Sequence, residues 1–232
     1  FTSIDDHEQA NLRKLYERVL GSENFVANII WQKKFSPQND ARGLLDNHDF
    51  ILCFAAHKET WQPGLLPRTE EQNARYQNPD NDPRGPWMSS GLDVKTYAEE
   101  YDYEIVTPSG RVVRPPKGSC WRVSKERFEE LIADNRIWFG PNGDNVPRLK
   151  RFLSEVKQGI TPLTLWTYQD VGHNQEGAQE LKSMMQAGDV YFTSPKPTRL
   201  LKRIITIGAD KQSIVLDYFA GSGTTGHAVI NL

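Results

Sequence analysis

The sequence predicts an α/β fold with a separate α+β module inserted between two parts of its sheet. Strand-like apolar runs alternate with a helical pattern in residues 1–56, and the same alternation returns in residues 190–232. Residues 57–189 instead carry many Pro, Asn, Arg and Gln residues and only short elements. Together these three observations divide the chain into two sheet segments and one insertion.

Residues 1–56 are predicted to contain three strands and one helix. Phe1–Ile4 reads as a short strand, and the two aspartates that follow it are good helix N-cap residues. Apolar residues at helical spacing then continue as far as Gly21. Asn24–Gln32 and Phe50–Ala56 are apolar runs rich in strand formers, which predicts two buried strands.

Residues 57–189 are predicted to form the inserted α+β module. Tyr103–Val106 and Arg111–Arg114 flank Thr-Pro-Ser-Gly, which predicts a hairpin. Leu149–Val156 and Ala178–Met185 are predicted to be short helices. Ser124 is predicted to cap another helix, whose apolar face would consist of Phe128, Leu131 and Ile132.

Residues 190–232 are predicted to contain a helix over Pro195–Ile207, a buried strand over Ser213–Tyr218 and a glycine loop. The loop, Gly221-Ser-Gly-Thr-Thr-Gly226, matches the G-x-G-x-x-G pattern between a strand and a helix that starts near Thr224. Glycines allow a sharp turn and a close approach to a ligand. By itself the pattern is compatible with a nucleotide-type cofactor loop or with a plain tight turn. No Lys follows the last glycine, which excludes a phosphate-binding P-loop.

The late position of this loop restricts the fold further. A dinucleotide-binding fold opens with such a loop and needs a βαβ unit after it, yet only six residues follow Gly226. The strands must therefore come from upstream, in a permuted order. A nicotinamide-dependent oxidoreductase is consequently the weakest alternative.

Composition and chain ends set broader expectations. Cys53 and Cys120 lie far apart and the five histidines are scattered, so neither a disulfide framework nor a metal site is expected. No apolar run has the length of a membrane span and no signal peptide precedes the first strand, which predicts a cytoplasmic protein without a membrane partner. The chain opens at Phe1 and ends at Leu232 inside a predicted helix, so we expect it to be a piece of a longer protein.

Several motifs together resemble one family. Asp217-Tyr-Phe-Ala-Gly-Ser-Gly-Thr-Thr-Gly-His-Ala-Val229 resembles the F-x-G-x-G cofactor motif of permuted (β-class) amino-methyltransferases that act on DNA. Ser194–Ile205 resembles the helix-opening motif that precedes it in that class. Asp82-Pro-Arg-Gly-Pro-Trp87, Trp121-Arg-Val-Ser124 and Pro162-Leu-Thr-Leu-Trp166 resemble the modification subunits of type III restriction systems.

The resemblance implies a partial, permuted Rossmann-like sheet that binds S-adenosylmethionine. Residues 1–56 would supply its later strands, residues 190–232 its cofactor segment, and residues 57–189 a target-recognition module. The implied reaction is transfer of a methyl group to N6 of a flipped adenine, with double-stranded DNA, a second copy and a restriction (nuclease/helicase) subunit as partners. The implied cofactor residues are Lys196, Pro197, Asp217, Phe219, Ala220, Gly221, Ser222, Gly223, Thr224 and Thr225.

Cationic and aromatic residues of the middle module are candidate DNA contacts. Arginine and lysine bind phosphates and base edges, while tryptophan can stack on bases or fill a core. The candidates are Arg84, Trp87, Lys117 and Arg122.

One motif of the class is absent from the sequence. The family holds its target amine with an Asp-Pro-Pro-Tyr tetrapeptide, and no such tetrapeptide occurs here, so no catalytic residue is predicted. The alternative to an active methyltransferase is therefore a DNA-recognition and cofactor-binding piece without turnover.

Overall fold

The computed structural model of the chain describes residues 1–36, 43–185 and 192–232. Their strands are β1 (Thr2–Ile4), β2 (Phe25–Gln32), β3 (His48–Phe54), β4 (Trp87–Gly91), β5 (Asp93–Val94), β6 (Ile105–Val106), β7 (Val112–Val113), β8 (Cys120–Trp121), β9 (Ile137–Trp138), β10 (Arg148–Phe152) and β11 (Leu165–Trp166). Their α-helices are α1 (Gln9–Leu20), α2 (Glu70–Ala74), α3 (Lys125–Ala133), α4 (Tyr168–Val171), α5 (Asn174–Met184), α6 (Thr198–Gly208) and α7 (Thr224–Ile230).

The chain forms two compact units. Unit 1 comprises residues 1–67 and 159–232, and unit 2 comprises residues 68–158. The first predicted boundary, after residue 56, therefore falls inside unit 1. The second, after residue 189, lies outside the described residues. β11, α4 and α5 belong to unit 1. The assignment of residues 57–189 to a target-recognition module stays a prediction.

Unit 1 is built on a four-stranded mixed sheet in the order β1-β3-β2-β11. β3 lies between β1 and β2 and is antiparallel to both, while β11 runs parallel to β2. The central strands place Ile29 opposite Ile51, in a core formed by Ile29, Trp31, Ile51, Cys53, Trp166, Val171, Leu200 and Ile207. The strands predicted in residues 1–56 are confirmed, although the third begins at His48 rather than Phe50.

Two local predictions in unit 1 are wrong. Helix α1 begins after Glu8, whose side chain makes no capping hydrogen bond, so neither Asp5 nor Asp6 is its N-cap. Ser213–Tyr218 is not a buried strand: its residues are exposed, and no ladder pairs with it within the described residues. A strand needs a neighbour for its backbone N–H and C=O groups, and apolar composition alone supplies none.

Unit 2 is built from small antiparallel sheets and two short helices, α2 and α3, of which α3 packs into its core. Its sheets are ordered β4-β10-β9, β5-β8 and β6-β7, and the last is the predicted hairpin. Ser124 accepts a hydrogen bond from the backbone N–H of Arg127 and thereby caps α3, as predicted, but Ile132 of the predicted apolar face is 46% exposed. The core consists of Leu92, Ile105, Val113, Trp121, Phe128, Leu131, Ile137 and Phe139.

The helix predicted over Leu149–Val156 is wrong, because Arg148–Phe152 forms the central strand of a sheet. Its residues pair with β4 over five positions, from Arg148 opposite Gly91 to Phe152 opposite Trp87. Burial follows a period of two, since Lys150 and Phe152 are buried and Arg151 between them is exposed. The apolar spacing that suggested a helix is overridden by this pairing.

No helix in the described ranges combines the length and the apolar character that a membrane span requires.

Candidate cofactor site around the glycine loop

The glycine loop, residues 219–226, turns on two glycines with left-handed backbone. Gly221 has φ +53° and Gly223 has φ +75°, a region that side chains other than glycine adopt at a cost. A Cβ added at Gly221 would lie 3.2 Å from Cζ of Phe192, whereas one added at Gly223 would meet no heavy atom within 4 Å. The loop therefore lies against Phe192 at Gly221, and the space beside Gly223 is open.

Asp217, which precedes the loop, stabilises it through two hydrogen bonds. Its carboxylate accepts a hydrogen bond from the backbone N–H of Phe219 at 3.1 Å and another from Thr225 Oγ1 at 2.5 Å. A further bond runs from the Gly223 backbone N–H to the Ala220 carbonyl at 2.8 Å. The loop is thus held in shape by its own residues, while the Phe219 ring itself is 85% exposed.

Predicted site residues from two separate motifs line one small cavity beside the loop. Its volume is about 20 Å³, room for about one water molecule. The lining combines Lys196, which precedes α6, with Ser222 and Thr224 of the loop, whose hydroxyls lie 2.8 Å apart. The complete lining is Gly177, Glu180, Leu181, Met184, Lys196, Thr198, Ser222, Thr224 and His227.

Lys196 is held by a carboxylate from the sheet. Its Nζ donates to Asp49 Oδ2 at 3.0 Å and lies 4.5 Å from the centroid of the Trp31 ring. The other oxygen of Asp49 accepts from Lys33 Nζ at 2.7 Å, so one buried carboxylate joins two lysines. Burial by itself lowers the pKa of Lys33, but hydrogen bonds to Asp49 and Asp46 outweigh it and raise that pKa.

The backbone on either side of Lys196 packs closely on helix α5. A Cβ added at Gly177 would lie 2.5 Å from the Pro195 carbonyl oxygen and 2.9 Å from the Pro197 nitrogen. Glycine at this position therefore allows the contact, and Pro197, which is buried, is fixed by it. Pro197 is the N-cap of α6 and makes no side-chain capping bond.

Helices α5, α6 and α7 are linked by side chains that the sequence did not single out. Glu180 Oε2 accepts hydrogen bonds from both the backbone N–H and Oγ1 of Thr198, each at 2.8 Å. Thr198 Oγ1 also lies 3.3 Å from His227 Nδ1. Sequence reasoning missed these residues, together with Asp49 and Trp31, because each partner is distant in the chain. An isolated Glu or His carries no local signal of such a contact.

Two of the predicted DNA-contact residues lie inside the polar framework of unit 2. Arg84 donates from Nε to Asp82 Oδ1 and from Nη2 to Asp82 Oδ2, both at 2.9 Å, and from Nη1 to Asp134 at 3.2 Å. Trp87 is 5% exposed and its Nε1 donates to Asp80 at 2.8 Å. Both side chains therefore help to stabilise the fold of unit 2. DNA contact by Arg84 or Trp87 stays a prediction that these positions do not favour.

The centre of this framework is Lys150, whose side chain is fully buried. Its Nζ donates to Asp80 and, at 3.3 Å, to Asp82. Hydrogen bonds from Arg84 hold the pKa of Asp82 far below its usual range, and Lys150 adds to that effect against the opposing effect of burial. Charges of opposite sign thus compensate one another inside unit 2.

The other two predicted DNA-contact residues point outward. Lys117 and Arg122 are both exposed, and the side chain of neither makes a hydrogen bond or ion pair within the described ranges. They lie on either side of β8: Lys117 in a turn with Gly118 at φ +81°, and Arg122 held by its backbone N–H to the Leu92 carbonyl at 2.6 Å.

Comparisons with known proteins indicate the family of the chain. A family model described as DNA methylase matches residues 1–232. The chain is 35% identical to the type III restriction-modification enzyme StyLTI Mod subunit of Salmonella typhimurium, over 100% of the chain and 35% of that protein. It is 24% identical to the EcoP15I Mod subunit of Escherichia coli (100% and 40%) and 26% identical to the type II methyltransferase M.EcaI of Enterobacter cloacae (98% and 47%).

These relatives confirm the resemblance inferred from the motifs, and they are much longer than the chain. The chain spans from about a third to just under half of their length. Because the family model covers every residue and a relative at 35% identity aligns with the whole chain, the chain belongs to the DNA methylase family.

Proposed function

We propose that this chain is the cofactor-binding and target-recognition part of an S-adenosylmethionine-dependent adenine-N6 DNA methyltransferase in a restriction–modification system. The observation that carries the proposal is the meeting of two motifs at one place. Lys196, from the motif before α6, lines the same small cavity as Ser222 and Thr224 of the glycine loop. The names of the relatives, Mod subunits and type II methyltransferases, support the same activity.

The order of elements in unit 1 supports a permuted sheet. All four strands of its sheet precede the glycine loop in the chain, whereas a dinucleotide-binding fold begins with such a loop. A permuted methyltransferase domain requires strands first and cofactor loop late, which is the order found here.

The residues of the loop fit a nucleoside-type cofactor on its open side. S-Adenosylmethionine supplies an electrophilic methyl group on a sulfonium centre. The open space at Gly223 allows close approach to the backbone, and the exposed Phe219 ring offers an apolar surface. Asp217 preserves the turn by accepting from Phe219 and Thr225. The cavity of about 20 Å³ is too small for such a cofactor, so the open side is its proposed location.

Unit 2 is proposed to contact the target DNA through its exposed cations. Methylation of a base requires the base to leave the duplex, at a cost of a few kcal/mol, and phosphate contacts hold the duplex while this happens. Lys117 and Arg122 are the predicted residues that remain free for such contacts. The proposed partners are double-stranded DNA, a second copy of the protein and a restriction subunit, in the cytoplasm.

Cofactor binding is tested by a matched pair of glycine substitutions. Gly223→Ala adds a methyl group on the open side of the loop, and we expect the affinity for S-adenosylmethionine to fall at least tenfold in calorimetry. Gly110→Ala is the control, because Gly110 also has positive φ (+87°) and open space around it but lies in a turn of unit 2. Equal losses in both variants, or no heat with the unchanged chain, would contradict the proposed site.

Methyl transfer is tested separately from binding. Radiolabelled S-adenosylmethionine and duplex DNA, followed by nucleoside digestion, should give N6-methyladenine and no N4-methylcytosine. The second candidate is the alternative from the sequence analysis, a recognition and cofactor-binding piece without turnover. Cofactor binding without any labelled nucleoside would select that candidate.

A further inference from the structure

We propose that Glu180, Thr198 and His227 form a hydrogen-bonded chain that positions the glycine loop, with His227 fixed as its Nδ1–H tautomer. The three side chains come from α5, α6 and α7 in turn. This inference deepens the proposed function and rests on it, because the loop they position is the proposed cofactor site.

The first link is a cap that helix α6 receives from another helix. The first backbone N–H groups of a helix have no partner within it, and Pro197 has no side-chain acceptor to supply one. Glu180 supplies it from α5, accepting from the backbone N–H of Thr198 at 2.8 Å. A carboxylate at the start of an eleven-residue helix is also favoured by the helix dipole.

The second link follows from the single proton of the Thr198 hydroxyl. Thr198 Oγ1 lies 2.8 Å from Glu180 Oε2, and a carboxylate can only accept, so the hydroxyl donates its proton there. The oxygen of Thr198 can then only accept at its 3.3 Å contact with His227 Nδ1. His227 must therefore carry a proton on Nδ1, although the length of this contact makes it a weak hydrogen bond.

The third link connects His227 to the loop itself. Its backbone N–H donates to the Gly223 carbonyl at 3.1 Å, so a fixed His227 ring fixes the turn that begins at Gly223. The ring also lines the same cavity as Ser222 and Thr224. Rotation of the ring away from Thr198 would remove the side-chain hydrogen bond that joins α7 to α6 within the described residues. These three residues are therefore positioning residues.

The tautomer is read directly by nitrogen NMR of the chain labelled at histidine. We expect His227 to show the Nδ1–H tautomer. Thr198→Val removes the hydroxyl while keeping the shape of the side chain, and His227 should shift toward the Nε2–H tautomer. Amide hydrogen exchange in residues 220–226 should rise at least fivefold. Thr198→Ser keeps the hydroxyl and should restore both the tautomer and the exchange rates to within twofold of the original.

A second pair of variants at the partly exposed His227 avoids the buried threonine. His227→Asn retains an N–H donor near the position of Nδ1, whereas His227→Phe removes it. We expect the asparagine variant to keep slow exchange in residues 220–226 and the phenylalanine variant to lose it. An Nε2–H tautomer in the unchanged chain, or equal exchange in both His227 variants, would overturn the proposal.

Cofactor affinity separates this inference from the proposed function. Thr198→Val and His227→Phe should weaken S-adenosylmethionine binding about tenfold, and Thr198→Ser should weaken it less than threefold. If the unchanged chain does not bind S-adenosylmethionine, the proposed function fails. The tautomer and the exchange rates then still decide whether the chain of three residues positions the loop.

Discussion

The two units use their motif residues in opposite ways. In unit 1 the glycine loop is braced by Asp217 and leaves Phe219 85% exposed, so the motif faces outward. In unit 2 the motif Asp82-Pro-Arg-Gly-Pro-Trp87 contributes to the interior, with Asp82 and Trp87 buried and Arg84 bonded to two carboxylates. A motif shared with a family can thus lie exposed on the surface or form part of the interior, and only the contacts distinguish the two.

The units also differ in how deeply their charged groups lie. Unit 2 fully buries Lys150 between Asp80 and Asp82, and such a cluster is stable only while every member is present. Unit 1 holds its buried carboxylate Asp49 between Lys33 and the partly exposed Lys196. Its pair Arg199 and Glu176 is partly exposed, so the loss of that pair costs less. Each unit contains a buried free cysteine, Cys53 in β3 of unit 1 and Cys120 in β8 of unit 2. The rate of thiol labelling at each cysteine therefore follows the opening of its own unit.

The largest effect is expected from Lys150→Met in unit 2. Removal of the buried cation leaves Asp80 without its charged partner and Asp82 with Arg84 alone, and the free energy of unfolding should fall by about 3–5 kcal/mol. Urea unfolding measures the loss, and thiol labelling at Cys120 should accelerate more than at Cys53.

Lys95→Met is the control for this substitution, because Lys95 is an exposed residue of the same unit. Its effect should stay within about 0.5 kcal/mol. A loss below about 1 kcal/mol for Lys150→Met would show that the buried cluster does not hold unit 2 together, and the contrast between the units would disappear.

The next largest effect is expected at Gly177 in unit 1. Gly177→Ala would place a methyl group 2.5 Å from the Pro195 carbonyl oxygen, and this overpacking should cost about 1–3 kcal/mol. Gly226→Ala is a control of opposite sign, since nothing lies within 4 Å of its added Cβ and alanine favours helix α7 by about 0.5–1 kcal/mol. Thermal unfolding compares the two, and destabilisation by both would contradict the close contact.

The sequence predicted the local features of both units well. Apolar runs located β2 and β3, the spacing of glycines located the loop at residues 219–226, and Ser124 located the start of α3. Each of these signals is contained within a few neighbouring residues, which is why a pattern can reveal it.

The contacts that assemble the sites were beyond local patterns. Lys196 and Asp49 are 147 positions apart, and Lys150 and Asp80 are 70 apart, so no spacing predicts either pair. The same limit explains the wrong helix over Leu149–Val156. An apolar run there was compatible with either period, and pairing with β4 made it a strand.

The two units should lose stability to different extents at low pH, because they differ in the carboxylates whose pKa is lowered in the folded state. In unit 2 hydrogen bonds from Arg136 lower the pKa of Asp134 and Glu155, and those from Arg84 lower that of Asp82. A carboxylate with a lowered pKa in the folded state stabilises above its unfolded pKa, and this stabilisation is lost as the pH falls toward the folded value. Unit 1 has a similar contribution from Glu176, whose pKa the hydrogen bonds from Arg199 lower.

We therefore expect stability to be constant near neutral pH and to decrease once the pH falls below about 4.5, with unit 2 responding more strongly. Hydrogen exchange followed by mass spectrometry between pH 5 and pH 3, corrected for the intrinsic rate, measures each unit in the same sample. Greater loss of protection in β2 and β3 than in β4 and β10 would contradict the expectation that unit 2 is the more sensitive to acid.

The smallest effects are expected at the exposed cations of unit 2, where the proposed role is in binding rather than in folding. Lys117→Ala and Arg122→Ala should each weaken duplex DNA binding about two- to fivefold. Each should also reduce the magnitude of the slope of log affinity against log salt concentration by about 0.9. With one phosphate contact fewer, fewer counterions are released when the protein binds DNA. Arg84→Met provides the contrast: it removes the bonds to Asp82 and should lower stability while leaving the salt slope unchanged. A reduced slope for Arg84→Met and unchanged slopes for the other two would place Arg84, rather than the two exposed cations, on the DNA.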